Sequence, residues 1–188
     1  MLDPISEHVS RLHSLAQRVA DALETEGVTY RIVGGFAVFI QVEQVEWIAA
    51  RLTPDVDVMV NRADLEYIER AAERHGFEYR PESSTNARGR GASSTVHLVY
   101  AREKFREDYL EPMPDFSEPV RTSTGICLAP VSDLVRMKLT SYRIIDRVHI
   151  QDLDSAELVT PEIEATLSAP LAARLAEIRA TEYPRLPQ

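Results

Sequence analysis

The chain has 188 residues, 44% hydrophobic and 27% charged, enough for one core of ordinary domain size or a core with a helical appendage. Its 30 Asp and Glu outnumber 21 Lys and Arg, and the net charge of −9 disfavours generic binding to DNA or RNA backbone, which needs clustered cations. The single cysteine, Cys127, excludes a disulfide framework and a Cys-based zinc site, and its apolar neighbours place it inside a strand. No stretch reaches the length of a membrane span and the amino terminus has no cationic-then-apolar pattern, so no membrane partner and a cytoplasmic location are expected.

Residues 4–26 predict an amphipathic helix, with Ile5, Val9, Leu12, Ala16, Val19 and Leu23 on one face, Asp3 as its cap, Pro4 in its first turn and Gly27 as its stop. A strand over 28–33 then meets Gly34-Gly35 and a helix over 36–46. The pattern of a strand, a tight glycine turn and a helix leaves free backbone N–H groups at the helix start, where a phosphate can sit. The stretch 47–52 is ambiguous; Trp47 fits a core or lid position there. A strand over 55–60 follows, and Asn61 is placed to cap a helix over 63–75 whose Leu65, Ile68 and Ala72 face inward. A short strand at 77–79 leads into 81–94, whose composition is that of a mobile loop carrying Arg88 and Arg90. A strand over 95–101, a charged segment over 102–111, a proline-rich connection, and short strands near 119–121 and 125–128 come next. From residue 130 the chain reads as helix: 131–146, a short helix near 150–157, one opened by Thr160-Pro161, and one near 170–181. This order fits an α/β (α+β) fold, a mixed sheet with flanking helices, with a core over 1–128 and a C-terminal helical segment over 129–188.

Asp55 and Asp57 carry the chemistry. They stand two apart in a run whose Val56, Val58 and Val60 alternate with them, so both carboxylates share one face of a strand. Adjacent carboxylates repel unless a cation bridges them, and hard oxygen ligands in such a pair suit Mg²⁺ or Mn²⁺. Arg51 and Thr53 share that face if the strand starts early, which adds them to the candidate nucleotide contacts. A phosphate cradle beside a metal-binding carboxylate pair points to phosphoryl or nucleotidyl transfer.

The ordered set Gly34-Gly35, helix, Arg51-x-Thr53-x-Asp55-x-Asp57 resembles the nucleotidyltransferase fold of DNA polymerase beta, in its bacterial minimal and toxin–antitoxin branch. Lys138, followed by Arg143, Asp146, His149 and Asp152-Leu153, resembles the helical segment of those proteins, so the likeness spans about residues 28–155. The resemblance implies metal-dependent transfer of a nucleoside monophosphate from an NTP to a hydroxyl on a protein, RNA or small molecule. It implies that Asp55 and Asp57 hold the metal and that Gly34, Gly35, Lys138 and Arg143 contact the nucleotide. It also implies a third carboxylate on the strand 95–101, where His97 stands instead; histidine can serve there as a general base. Glu103 and Asp108 are further carboxylates in the next segment. Arg143, Asp146 and His149, three apart, share a helix face; Asp146 and His149 fit a buried polar ladder docking the helices onto the sheet.

Two alternatives follow from His97. One is a non-catalytic protein of the same fold, with a regulatory or toxin–antitoxin role and a partner protein or a second copy. The other is a metal-dependent hydrolase with Asp55, Asp57, His97 and His149 as ligands.

Overall fold

The computed structural model describes residues 4–43, 55–80, 86–89 and 95–181. Helix α1 (Pro4–Thr25) buries Leu12, Leu15, Ala16, Val19 and Leu23 and ends where Val28 N–H reaches Leu23 O at 2.9 Å. Strand β1 (Tyr30–Val33) is buried along its whole length and runs directly into α2 (Gly34–Glu43). Strand β2 is Val56–Val60 and, after a 3-10 turn at Arg62–Asp64, α3 is Leu65–Arg74. Strands β3 (Phe77–Arg80), β4 (Asn86–Gly89) and β5 (Thr95–Tyr100) are followed by the long connection 101–119. The short strands β6 (Val120–Arg121) and β7 (Cys127–Leu128) precede four helices: α4 (Val131–Ser141), α5 (Ile144–Ser155), α6 (Pro161–Glu164) and α7 (Ala169–Ala180).

The strands form one mixed sheet in the order β3-β4-β5-β2-β1-β7-β6. Pairs β2/β5 and β1/β7 are parallel; the others are antiparallel. The centre is apolar because Ile32, Val33, Val56, Val58, Met59, Val60 and Leu128 are all shut off from solvent. Helix α2 is apolar nearly all round and is buried from Gly35 to Val42, as its position demands. It touches β1 and β2 on one side and α4 and α5 on the other. No helix among the described residues is long and apolar enough to cross a membrane.

Three expectations need correction. Residues 86–89 are a strand, not part of a loop: β4 bridges β3 and β5 by antiparallel pairing. The helix expected over 131–146 breaks at Tyr142, which adopts a left-handed φ of 53°, and α5 restarts at Ile144. Asn61 does not cap the following turn with its side chain; its amide donates to Asp64 Oδ2 at 3.3 Å and its carbonyl accepts from Arg102. Asp3, Trp47, Arg51, Thr53, Arg90 and the side chain of Arg88 lie outside the described residues.

Candidate active site

The register of three strands assembles the site. Antiparallel pairing sets Val33, the last residue of β1, opposite Asp57, and parallel pairing sets His97 of β5 opposite Asp57 on its other side. The end of β1, the glycine turn and both carboxylates therefore meet at one end of the central strands. Asp57 is the half-exposed exception in an otherwise buried strand. Its Oδ1 lies 3.2 Å from His97 Nδ1. Asp55 Oδ1 accepts the Thr95 N–H at 3.2 Å, which fixes the second carboxylate against β5.

Gly34 is required twice over. Its φ of +72° is in the left-handed region, and a Cβ built on it would lie 1.8 Å from Asp57 Oδ2. The backbone at the start of α2 thus approaches the carboxylate to a distance only glycine permits, and its N–H end opens beside Asp57. Hydrogen bonding to Asp57 comes first among the causes that raise the pKa of His97 above 6.5, over the opposing effect of burial; the charges of Asp57 and Asp55 add to it.

A cavity of about 420 Å³ opens at this end of the strands. Its floor holds Gly34, Asp55, Asp57, His97 and Val99. One wall is built by α4 and α5, through Leu134, Lys138, Arg143 and His149, and the far end by Phe105, Tyr109 and Met113 of the 101–119 connection. Its volume falls in the range of small-molecule sites. A concavity of about 500 Å³ at Glu73–Glu78 is larger but lies on the α3–β3 turn, away from the carboxylate pair, and lacks its convergent polar groups.

Asp146 organises the helical wall. Fully buried, it accepts from Lys138 Nζ at 2.8 Å, Ser141 Oγ at 2.7 Å and Arg143 Nε at 2.7 Å. Burial alone pushes its carboxyl up, but the Arg143 hydrogen bond, the Lys138 charge and the other donors outweigh it and hold the group well below the usual carboxylate range. These bonds tie α4 to α5. They also restrain two of the sequence candidates. Lys138 is buried and paired, while Arg143, whose Nε and Nη2 both donate to Asp146, keeps 54% of its side chain exposed and lines the cavity. The same Asp146 contact keeps the Arg143 guanidinium more firmly charged, against the effect of burial, with further support from Asp57 and Tyr109.

Glu103 turns outward to Arg62, with contacts of 2.6 to 2.9 Å, and supplies nothing to the cavity. Asp108 is not among the lining residues either. Among the described residues no three His, Cys, Asp or Glu side chains are gathered into a metal-ligating cluster, so the four-ligand hydrolase arrangement is not assembled. The two carboxylates suit a different demand: Mg²⁺ is commonly held by one or two carboxylates together with substrate phosphates, rather than by an all-protein cage. Asp55 and Asp57 at one end of β2, with the Gly34 cradle against Asp57, fit such an ion. The sequence did not reveal Phe105, Arg106, Tyr109 and Met113 as cavity residues; four-residue spacing of Phe105 and Tyr109 inside a charged run was the only local sign of them.

No protein-family model and no curated protein sequence matches this chain. Solved structures do. The solution structure of the antibiotic-resistance factor ANT(2″)-Ia matches with a TM-score of 0.57 at 13% identity, over 92% of this chain and 93% of that one. The crystal structure of ANT(2″)-Ia in complex with adenylyl-2″-tobramycin matches with a TM-score of 0.52 at 14% identity, over 89% and 96%. At such identities the likeness is one of fold, and this chain shares the fold of ANT(2″)-Ia.

Proposed function

We propose that this protein is a nucleotidyltransferase that moves a nucleoside monophosphate from an NTP to an acceptor hydroxyl. The observation that carries this is the approach of Gly34 to Asp57, flanked by His97: a glycine-only phosphate cradle against a carboxylate pair at the head of one cavity. The fold shared with ANT(2″)-Ia, one structure of which holds an adenylylated compound, supports it.

In this reading Asp55 and Asp57 hold a divalent cation, Mg²⁺ or Mn²⁺. When bound, such an ion neutralises triphosphate charge and lowers the pKa of a hydroxyl. The N–H groups of Gly34 and Gly35 receive a phosphate oxygen, and Arg143, braced by Asp146, offers a second cationic contact. His97, made more basic by Asp57, is the group placed to take the acceptor proton. Lys138 acts through its charge and its hold on Asp146. Arg51 and Thr53 remain proposed nucleotide contacts. The chain divides in function near residue 128: the sheet part brings carboxylates and cradle, and the helical segment 129–188 brings cations. A location in the cytoplasm fits NTP as donor.

The non-catalytic reading is favoured by one observation, an imidazole already bonded to Asp57 where the resemblance implies a carboxylate. Calorimetry with each NTP and Mg²⁺ or Mn²⁺, on the native protein and on Asp55→Asn/Asp57→Asn, tests both. Metal-dependent binding lost in the variant supports the site, and transfer of label from NTP to an acceptor then separates enzyme from binder. Absence of NTP binding to the native protein overturns the proposal.

A further inference from the structure

The far end of the cavity has a construction the triphosphate does not need. Phe105 and Tyr109 stack there with ring centroids 6.1 Å apart and planes at 29°. Tyr109 is buried, whereas Phe105 is 41% exposed and faces the cavity. Ile145, on the opposing wall, is 47% exposed and also lines it. Large apolar side chains left open to water on both sides of one cleft mark a place where a flat apolar surface enters. Arg106, between the two rings in sequence, and Arg143, whose charge is felt by Tyr109, line the same space.

The segment is also held in place. Met113 N–H reaches Glu103 O at 2.9 Å, Arg102 N–H reaches Met113 O at 3.1 Å, and Tyr109 N–H reaches Arg106 O at 3.2 Å. Glu103 is gripped by Arg62, and Glu111 accepts from Ser168 of the helical segment at 2.5 Å. An exposed ring on a braced connection is a preformed surface, which reduces the ordering cost of binding.

We propose that Phe105, backed by Tyr109, is the seat of the nucleobase of the NTP, with Ile145 closing over its other face. This rests on the nucleotidyl-transfer reading and adds to it which end of the cavity takes the base and how the base is read. One cavity joins the Gly34 cradle to these rings, so a nucleotide whose phosphates lie at the carboxylates directs its base along β5, past Val99, to Phe105. Every base has a π-face, so a seat made of stacking tolerates all four, and the larger purines hold it better than the pyrimidines. Arg106 beside the rings adds a cation that can lie over the same base.

The test compares two probes, ATP with Mg²⁺ and inorganic tripolyphosphate with Mg²⁺, by calorimetry on the native protein, Phe105→Ala and Phe105→Trp. The expected result is that Phe105→Ala weakens ATP roughly 10- to 100-fold, leaves tripolyphosphate unchanged, and that Phe105→Trp restores ATP binding. GTP should respond as ATP does. Equal loss of both probes in Phe105→Ala, or unchanged ATP binding, overturns the seat while leaving the phosphate site intact as a proposal. A native protein that binds neither probe overturns the nucleotidyl-transfer reading and the seat with it.

Discussion

Residue 34 has room beside Asp57 for a hydrogen atom and not for a carbon. Replacing the glycine hydrogen by a methyl group sets a carbon 1.8 Å from Asp57 Oδ2 and also places an L side chain at φ +72°. Gly76 provides the control, because its φ is +73° yet a Cβ there meets nothing within 4 Å. Gly76→Ala should cost only the backbone term, about 1–2 kcal/mol. Gly34→Ala should cost more than Gly76→Ala in urea unfolding and should also abolish metal-dependent NTP binding, which Gly76→Ala leaves in place. Equal effects of the two on binding would show that the close approach to Asp57 is incidental. The glycine pair and the two-residue spacing of Asp55 and Asp57 were legible in the sequence because turn and strand geometry are local. That His97 would touch Asp57 was legible only through an assumed topology. Beyond the spacing of Phe105 and Tyr109, nothing local placed Phe105 and Arg106 in the cavity, because a long connection sets their position, a tertiary matter.

The junction of α4 and α5 shows what an element boundary can hide. The apolar periodicity of residues 131–146 runs on without a glycine or proline, so nothing local announces a stop, yet Tyr142 turns left-handed there. The structure supplies the reason. Asp146 sits at the third position of α5, accepts the Arg143 N–H at 3.2 Å, and gathers Lys138 and Ser141 from the end of α4. Two cations hold the turn from outside, Arg147 and Arg174, 4.1 and 4.4 Å from the Tyr142 ring centre. By contrast α1, α3 and the Pro161 start of α6 were legible, since each carries its own stripe or cap residue. Asp146→Asn leaves Lys138 buried without its counter-charge, and breaking such a pair costs about 3–5 kcal/mol. Denaturant unfolding of this variant at neutral pH should show a loss of that order; a loss below about 1 kcal/mol would mean the pair contributes little. The pH dependence has a definite sign. The folded carboxyl of Asp146 titrates below its ordinary value near 3.8, so its contribution is complete above that value and drains away as pH falls toward the folded pKa. The stability gap between native protein and Asp146→Asn should therefore be constant from neutral pH to about pH 5 and should shrink below about pH 4. A gap that widens on acidification would contradict the charge pairing.

At the scale of the whole molecule, charge and site point in opposite directions. The protein carries −9 and its proposed donor is a polyanion, so the long-range field repels the ligand. Within the cavity Arg143 is placed toward that anion, and Arg106 adds a cation at the base end. These two influences differ in range, and salt distinguishes them. Raising ionic strength from about 0.01 to 0.1 M shortens the screening length from about 30 to about 10 Å. That suppresses the distant repulsion from the acidic surface, while contacts inside a partly enclosed cavity are screened far less. The association rate of MgATP, measured by stopped flow, should therefore rise by roughly two- to fivefold over this interval. The dissociation rate should change less, because it reports the short-range contacts. A steep fall in association rate with salt would mean that the cations around the cavity, not the overall acidity, govern the approach, and that this face is organised to draw in far larger anions than a nucleotide.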